Sequence, residues 1–149
     1  MANYLYVDNS NVWIEGMHVS AVARGIAPDI WTAMQNRICD YEWKLDFGKL
    51  HEFAGGASPA RAVLYGSRPP ANDSLWNIAK AKGFEPVVFD RNDQNKEKKI
   101  DTQITADIIS DLYEQMQKGD EVTLVAGDRD SVPVCEKVLK RGIQFDVVF

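Results

Sequence analysis

The stretch VTLVAGDRDS, residues 122–131, decides how this chain is read. Val122-Thr123-Leu124-Val125-Ala126 is a near-continuous apolar run of the kind that forms a strand buried on both faces. A glycine and two aspartates one residue apart follow it. Gly takes positive φ and Asp bonds its own backbone, so Gly127, Asp128 and Asp130 suit a turn. A turn does not explain why two like charges stand together at the mouth of a buried strand. The rest of the chain has to decide between a turn and a site.

Outward from that stretch, strands alternate with helices. NYLYVD (3–8) reads as a first strand ending in Asp8, and ARAVLYG (60–66) as a second, stopped by Ser67-Arg68-Pro69-Pro70 because proline cannot continue a ladder. Asn72 or Asp73 suits the cap of a helix over roughly Ser74–Lys82, with Gly83 as its stop. FEPVVF (84–89) gives a third strand, and the polar loop DRNDQNKEKK leads into a helix from about Asp101 to Lys118. There Ile100, Ile104, Ile108, Leu112 and Met116 recur every fourth residue, one face of a helix. The fourth strand is 121–126, a helix covers about Val132–Arg141, and the fifth strand is 143–149. Apolar strands alternating with helices predict a three-layer α/β/α fold with a central parallel sheet of about five strands, one domain over residues 1–149.

Residues 12–58 carry less pattern. LDFGKLHEFAG (45–55) and PDIWTAMQNRICDY (28–41) read as helices, and the span between Asn11 and Asp29 as a long loop or flap. Trp13, Trp31 and Trp43 are expected to anchor this region to the core.

Composition narrows the function classes. Hydrophobic residues make up 45% of the chain and charged ones 26%, as in an ordinary soluble domain. No apolar run approaches the roughly 18 residues of a membrane span, and MANYLYVDNSN lacks the basic start and apolar core of a secretory signal. The expectation is a cytoplasmic protein with no membrane partner. Cys39 and Cys135 have no metal-ligand spacing and read as two buried, reduced thiols. A net charge of −5 argues against broad attraction to nucleic acid, although cations held by a carboxylate cluster would offset part of it.

In a parallel α/β sheet the loops after the carboxyl ends of strands share one edge, where ligands gather. Asp8 and Asn11 follow strand one, Asp128 and Asp130 follow strand four, and Asp101 stands where the connection after strand three enters its helix. These carboxylates converge if the sheet order sets strands one and four side by side. Carboxylates a few ångströms apart raise one another's pKa, and a hard divalent cation relieves them. Mg²⁺ takes oxygen ligands and leaves room for substrate phosphate, and two such ions about 4 Å apart serve phosphodiester hydrolysis. His18 and His51 form no zinc spacing and no Ser-His-Asp triad. Neither G-x-x-x-x-G-K-[ST] nor G-x-G-x-x-G occurs, so nucleotide-driven and dinucleotide chemistry has no support.

Four motifs in order resemble the NYN domains, PIN-like folds, and within them the LabA-like/DUF88 group. They are D-x-x-N after strand one (Asp8, Asn11), Lys98-Lys99-Ile100-Asp101 at a helix start, a second helical aspartate at Asp107, and G-D-x-D after strand four (Asp128, Asp130). GIQFDVV is similar to the family's G-x-x-V-x-V ending. The resemblance implies a sheet of order 3-2-1-4-5 and a metal-dependent nuclease site, usually acting on RNA. It implies that Asp8, Asp101, Asp128 and Asp130 ligate Mg²⁺ or Mn²⁺ and that Asn11 orients a ligand or a phosphate oxygen. Asp107 lies about 240° round the helix from Asp101, so it reads as a partner behind the ligands or as an ion-pair residue. Two departures stand out: Ala126 replaces the family's serine before Gly127, and Ser131 replaces its aromatic.

Each residue also has an ordinary reading. Asp8 suits a helix cap, Asn11 a turn, and Asp101 an N-cap. Arg91, Lys96, Lys98 and Lys99 are candidates to grip phosphates, although Asp93 and Glu97 interrupt them as in a solvated loop. Arg68 is a candidate phosphate contact, and Arg129 either neutralises its flanking aspartates or reaches the substrate backbone. Tyr65 and Trp13 read as packing residues or as platforms for single-stranded bases. The leading expectation is an endoribonuclease acting on single-stranded or structured RNA, with DNA as a further substrate class. The alternative, motivated by AGDRDS, is a catalytically weak or inactive RNA- or protein-binding regulatory module. A phosphatase of the haloacid-dehalogenase type needs D-x-D after strand one, whereas the chain reads Asp8-Asn9-Ser10. A homo-oligomer, or a further domain in a longer parent protein, fits the same sequence.

Overall fold

Five parallel strands, β1 (Asn3–Asp8), β2 (Arg61–Arg68), β3 (Glu85–Asp90), β4 (Glu121–Val125) and β5 (Gln144–Val148), form one sheet in the order β3-β2-β1-β4-β5. The helices are α1 (Asn9–Ala23), α2 (Ile30–Asn36), α3 (Phe47–Gly55), α4 (Ser74–Ala81), α5 (Lys96–Glu114) and α6 (Val132–Lys140). The computed structural model describes residues 1–56, 58–68, 74–90, 96–126 and 132–148, without the side chains of Arg68, Asp90 and 96–98.

β1 is the centre because it can bury both faces. Tyr4 and Tyr6 point to one side and Leu5 and Val7 to the other, and all four are at most 5% exposed. On the first side Tyr4, Tyr6, Val63, Tyr65, Val122 and Leu124 pack under α5 and α6. The Ile100-Ile104-Ile108-Leu112-Met116 stripe supplies the facing surface, as its spacing predicts. On the second side Leu5, Val7, Leu64 and Val125 pack under Phe47 and Ala54 of α3 and Trp76 and Ala79 of α4. The three-layer architecture and the strand order are those expected.

The largest departure is α1, a helix of 15 residues where a loop or flap was expected. Its apolar residues form no single stripe, because it is contacted from several sides. Ala21 joins a small cluster with Ala27 and Ala33, while Trp13 packs in the α3–α4 core. At Gly16 the indole of Trp43 lies so close that a Cβ would collide with it. A helix wrapped this way has no clean 3.6 period to detect.

Smaller corrections follow from local chemistry. α5 starts at Lys96 rather than near Asp101. Lys and Glu are good helix formers, although lysines in a first turn oppose the macrodipole and disguise the start. β2 runs on to Arg68, pairing Ser67 with Phe89 and Arg68 with Asp90. Trp13 and Trp43 pack edge to face at 5.7 Å, whereas Trp31, 71% exposed on α2, anchors nothing. Tyr65 is fully buried and therefore is no stacking platform. Cys39 and Cys135 are free thiols but only partly buried.

Candidate functional site

The chain builds β1, β2 and β3 outward on one side, then crosses to β4 on the other side of β1. Connections leaving the carboxyl ends of β1 and β4 therefore diverge, and a crevice opens between them, the usual ligand position in open α/β sheets. Asp8 is the last residue of β1, and Val125, the last of β4, is the register partner of Val7. β4 thus ends beside Asp8, which is the condition for the predicted carboxylates to meet. Asp128, Arg129, Asp130 and Ser131 themselves lie outside the described residues.

Asp8 has two structural roles. Strand alternation puts it on the same side as Tyr4 and Tyr6, toward the α5 layer. It is also the N-cap of α1, its backbone extended and its Oδ1 accepting from the Asn11 N–H at 3.3 Å. Asn11 is therefore a first-turn helix residue, and it lines a groove along α1. Between them lies a residue the sequence reading passed over. Asn9 is 6% exposed and its Oδ1 has no hydrogen-bond partner among the described residues. Its signal was a second amide directly after the strand's aspartate.

Asp101 does not cap α5; it stands five residues inside the helix, next to the buried Ile100. Because α5 returns antiparallel to the strands, its first turns stand at their carboxyl edge, and Asp101 with them. Asp107 is deeper. Its Oδ2 accepts from the Tyr65 hydroxyl at 2.7 Å and its Oδ1 from Gln103 Nε2 at 2.9 Å. Tyr65 is the register partner of Asp8 on β2, so Asp107 holds the strand residue adjoining Asp8. Burial, and then the Asp107 carboxylate, push the Tyr65 hydroxyl far above its ordinary range and keep it a neutral donor.

One turn further along α5 the same device recurs. Asp111, 2% exposed, accepts from the Tyr6 hydroxyl at 2.5 Å and pairs with Arg61 Nη1 at 2.6 Å. A polar row, Gln103-Asp107-Asp111-Gln115, thus runs beside the isoleucine stripe at the same spacing.

Of the basic candidates, Arg68 is the last residue of β2 and Lys96 and Lys98 open α5, with side chains outside the described residues. Lys99 is exposed on the first turn, and Arg91 lies outside the described residues.

Among the described residues no three His, Cys, Asp or Glu side chains are grouped to hold a metal ion. The chemistry of the donors fits a hard cation all the same. Asp8 and Asp101 offer carboxylate oxygens, and the orphaned Asn9 amide oxygen is a buried acceptor of the kind an ion or ordered water satisfies.

No helix among the described residues is long and apolar enough to cross a membrane. Neither the curated proteins nor the solved structures contain a match to this chain. The family model of the NYN domain does match, over residues 9–149, without separating the LabA-like/DUF88 group from the rest. NYN domains are part of the PIN-like nuclease superfamily, whose members typically use divalent metals and act on nucleic acids. With the match covering nearly the whole sequence and the strand order agreeing, the chain belongs to the NYN domain family.

Proposed function

We propose that this chain, a single NYN domain over residues 1–149, is a divalent-metal-dependent nuclease that hydrolyses RNA phosphodiesters. The observation that carries the reading is the sheet order. It sets the carboxyl ends of β1 and β4 side by side at the switch point, with Asp8 on one and the Gly127-Asp128-Arg129-Asp130 sequence following the other.

In this reading Asp8, Asp101, Asp128 and Asp130 hold Mg²⁺ or Mn²⁺, and Asn9 joins them as an oxygen donor. Bound there, the cation supplies Lewis acidity at the phosphodiester. The chain's own contribution is position. Asp8 is held by its cap to α1, and its neighbour Tyr65 is held by Asp107. Asn11 orients a phosphate oxygen, while Arg68, Arg91, Lys96, Lys98 and Lys99 contact the RNA backbone. Arg129 offsets the aspartates on either side of it.

The test is cleavage of labelled single-stranded RNA, hairpin RNA and single-stranded DNA with Mn²⁺. Wild type is expected to cut RNA, and both EDTA and Asp128→Asn are expected to abolish cutting. Cleavage that survives both would overturn the mechanism. Ala126 and Ser131, where the family carries serine and an aromatic, favour a second reading as an RNA-binding regulatory module. RNA binding indifferent to Asp8→Asn, without turnover, would establish that one.

A further inference from the structure

The groove along α1 has a volume of about 520 Å³ and is lined almost entirely by apolar side chains. It includes Asn11 at one end and reaches Val125 and Val148, the last residues of β4 and β5. It therefore opens onto the same sheet edge as Asp8. Trp43 and Phe53 are among its walls, and Phe53 is 79% exposed. Among the described residues its only charged lining residue is Glu15, one helical turn after Asn11, which is partly buried and makes no ion pair or hydrogen bond there.

That chemistry selects its occupant. Among the described residues no lysine or arginine lines the groove, and the carboxylate that does line it repels phosphate, so this lining does not suit an RNA backbone. A planar apolar ring fits instead, stacked on an aromatic wall and presenting N–H donors to Glu15. Unstacked RNA bases are bound in this way, by ring stacking and by hydrogen bonds to the Watson–Crick edge. Guanine alone among the four bases carries two adjacent N–H donors on that edge, N1–H and the 2-amino group. A single carboxylate accepts both. The volume lies within the roughly 300–1,000 Å³ of small-molecule sites, enough for a base with its ribose.

We infer that the groove between α1 and α3 is a base pocket, in which Glu15 selects guanine next to the phosphodiester placed at the Asp8 edge. The inference rests on the nuclease reading for its substrate, but its test does not use cleavage. Guanosine, adenosine, cytidine and uridine, which have no phosphate, are titrated into the full chain without metal while tryptophan fluorescence is followed.

Guanosine is expected to change the emission in wild type, with the response reduced in Trp43→Phe. Its affinity is expected to fall about tenfold or more in Glu15→Gln, which keeps the shape and loses one acceptor. Uridine and cytidine are expected to bind at least tenfold more weakly than guanosine. Equal binding of all four nucleosides, or an unchanged guanosine affinity in Glu15→Gln, overturns the inference. So does a concentration-dependent dimer that Val19→Arg dissociates, since the groove is then a face between two copies. Cleavage of RNA without guanosine binding removes the pocket and leaves the nuclease. Guanosine binding without cleavage does the reverse.

Discussion

The two faces of the sheet are covered in different ways. The α5–α6 face is closed by one long helix whose isoleucine stripe packs on the tyrosines of β1 and β2. Beneath it Asp107 and Asp111 tie Tyr65 and Tyr6 to the helix. The other face is covered by α1, α3 and α4 through aromatic packing, and beside α1 it leaves a groove that reaches β4 and β5. Polar ties have direction, whereas apolar packing tolerates sliding. The difference teaches that the face bearing Asp101 is fixed by directional polar ties and the face bearing Glu15 by apolar packing that leaves a groove.

The largest effect expected from breaking this contrast comes from Asp111→Ala. It leaves the Tyr6 hydroxyl and part of the Arg61 guanidinium buried without their partner. Leaving a buried hydroxyl without its acceptor costs about 1–3 kcal/mol, while Arg61 keeps its ion pair with Glu85 at 3.1 Å. Glu15→Ala, on the open face, is expected to change stability by no more than about 0.5 kcal/mol. Urea denaturation of both variants checks the pair. Equal losses would mean that the polar ties are not what distinguishes the two faces.

Alkaline titration sharpens the same comparison. Burial, and then their carboxylate partners, raise Tyr6 and Tyr65 far above the ordinary value of 10.0. A folded-state pKa above the unfolded one means that stability is fully present below pH 10 and lost as pH rises beyond it. Each tyrosine then removes about 1.4 kcal/mol per pH unit. Stability measured from pH 9 to pH 12 is expected to fall less steeply in Tyr6→Phe than in wild type, by one group's share. Identical slopes would show that Tyr6 ionises as readily folded as unfolded.

The contrast between faces also explains what could be read beforehand. The α5 face was legible because its signals are periodic: Ile100, Ile104, Ile108, Leu112 and Met116 name the buried side of one helix. The polar row of Gln103, Asp107, Asp111 and Gln115 has the same spacing but reads as solvated surface until the tyrosines opposite are placed. On the other face, α1 is pressed by Trp43 at Gly16 and by the Ala27–Ala33 cluster from elsewhere, so its sequence averages over several environments. The candidate site was legible as a list of aspartates. The condition for those aspartates to meet, β1 and β4 as neighbours, is a fact of topology that no local pattern carries. Asn9 escaped because its burial comes from where α1 sits, not from its type.

Asp8 belongs to both faces, and its smaller effect separates two roles that coincide in one carboxylate. It points toward the α5 layer by strand alternation and caps α1 on the opposite layer. Asn caps a helix about as well as Asp, whereas Ala does not, at a cost of about 1 kcal/mol. Asp8→Asn is therefore expected to keep stability within about 0.5 kcal/mol of wild type, and Asp8→Ala to lose about 1 kcal/mol, both by urea denaturation. Metal-dependent cleavage is expected to disappear in both, because neither an amide nor a methyl group brings charge to a cation. Lost cleavage with retained stability in Asp8→Asn assigns the charge to the site and the hydrogen bond to the cap. Retained cleavage in Asp8→Asn would reduce Asp8 to a capping residue and move the cation to Asp101, Asp128 and Asp130 alone.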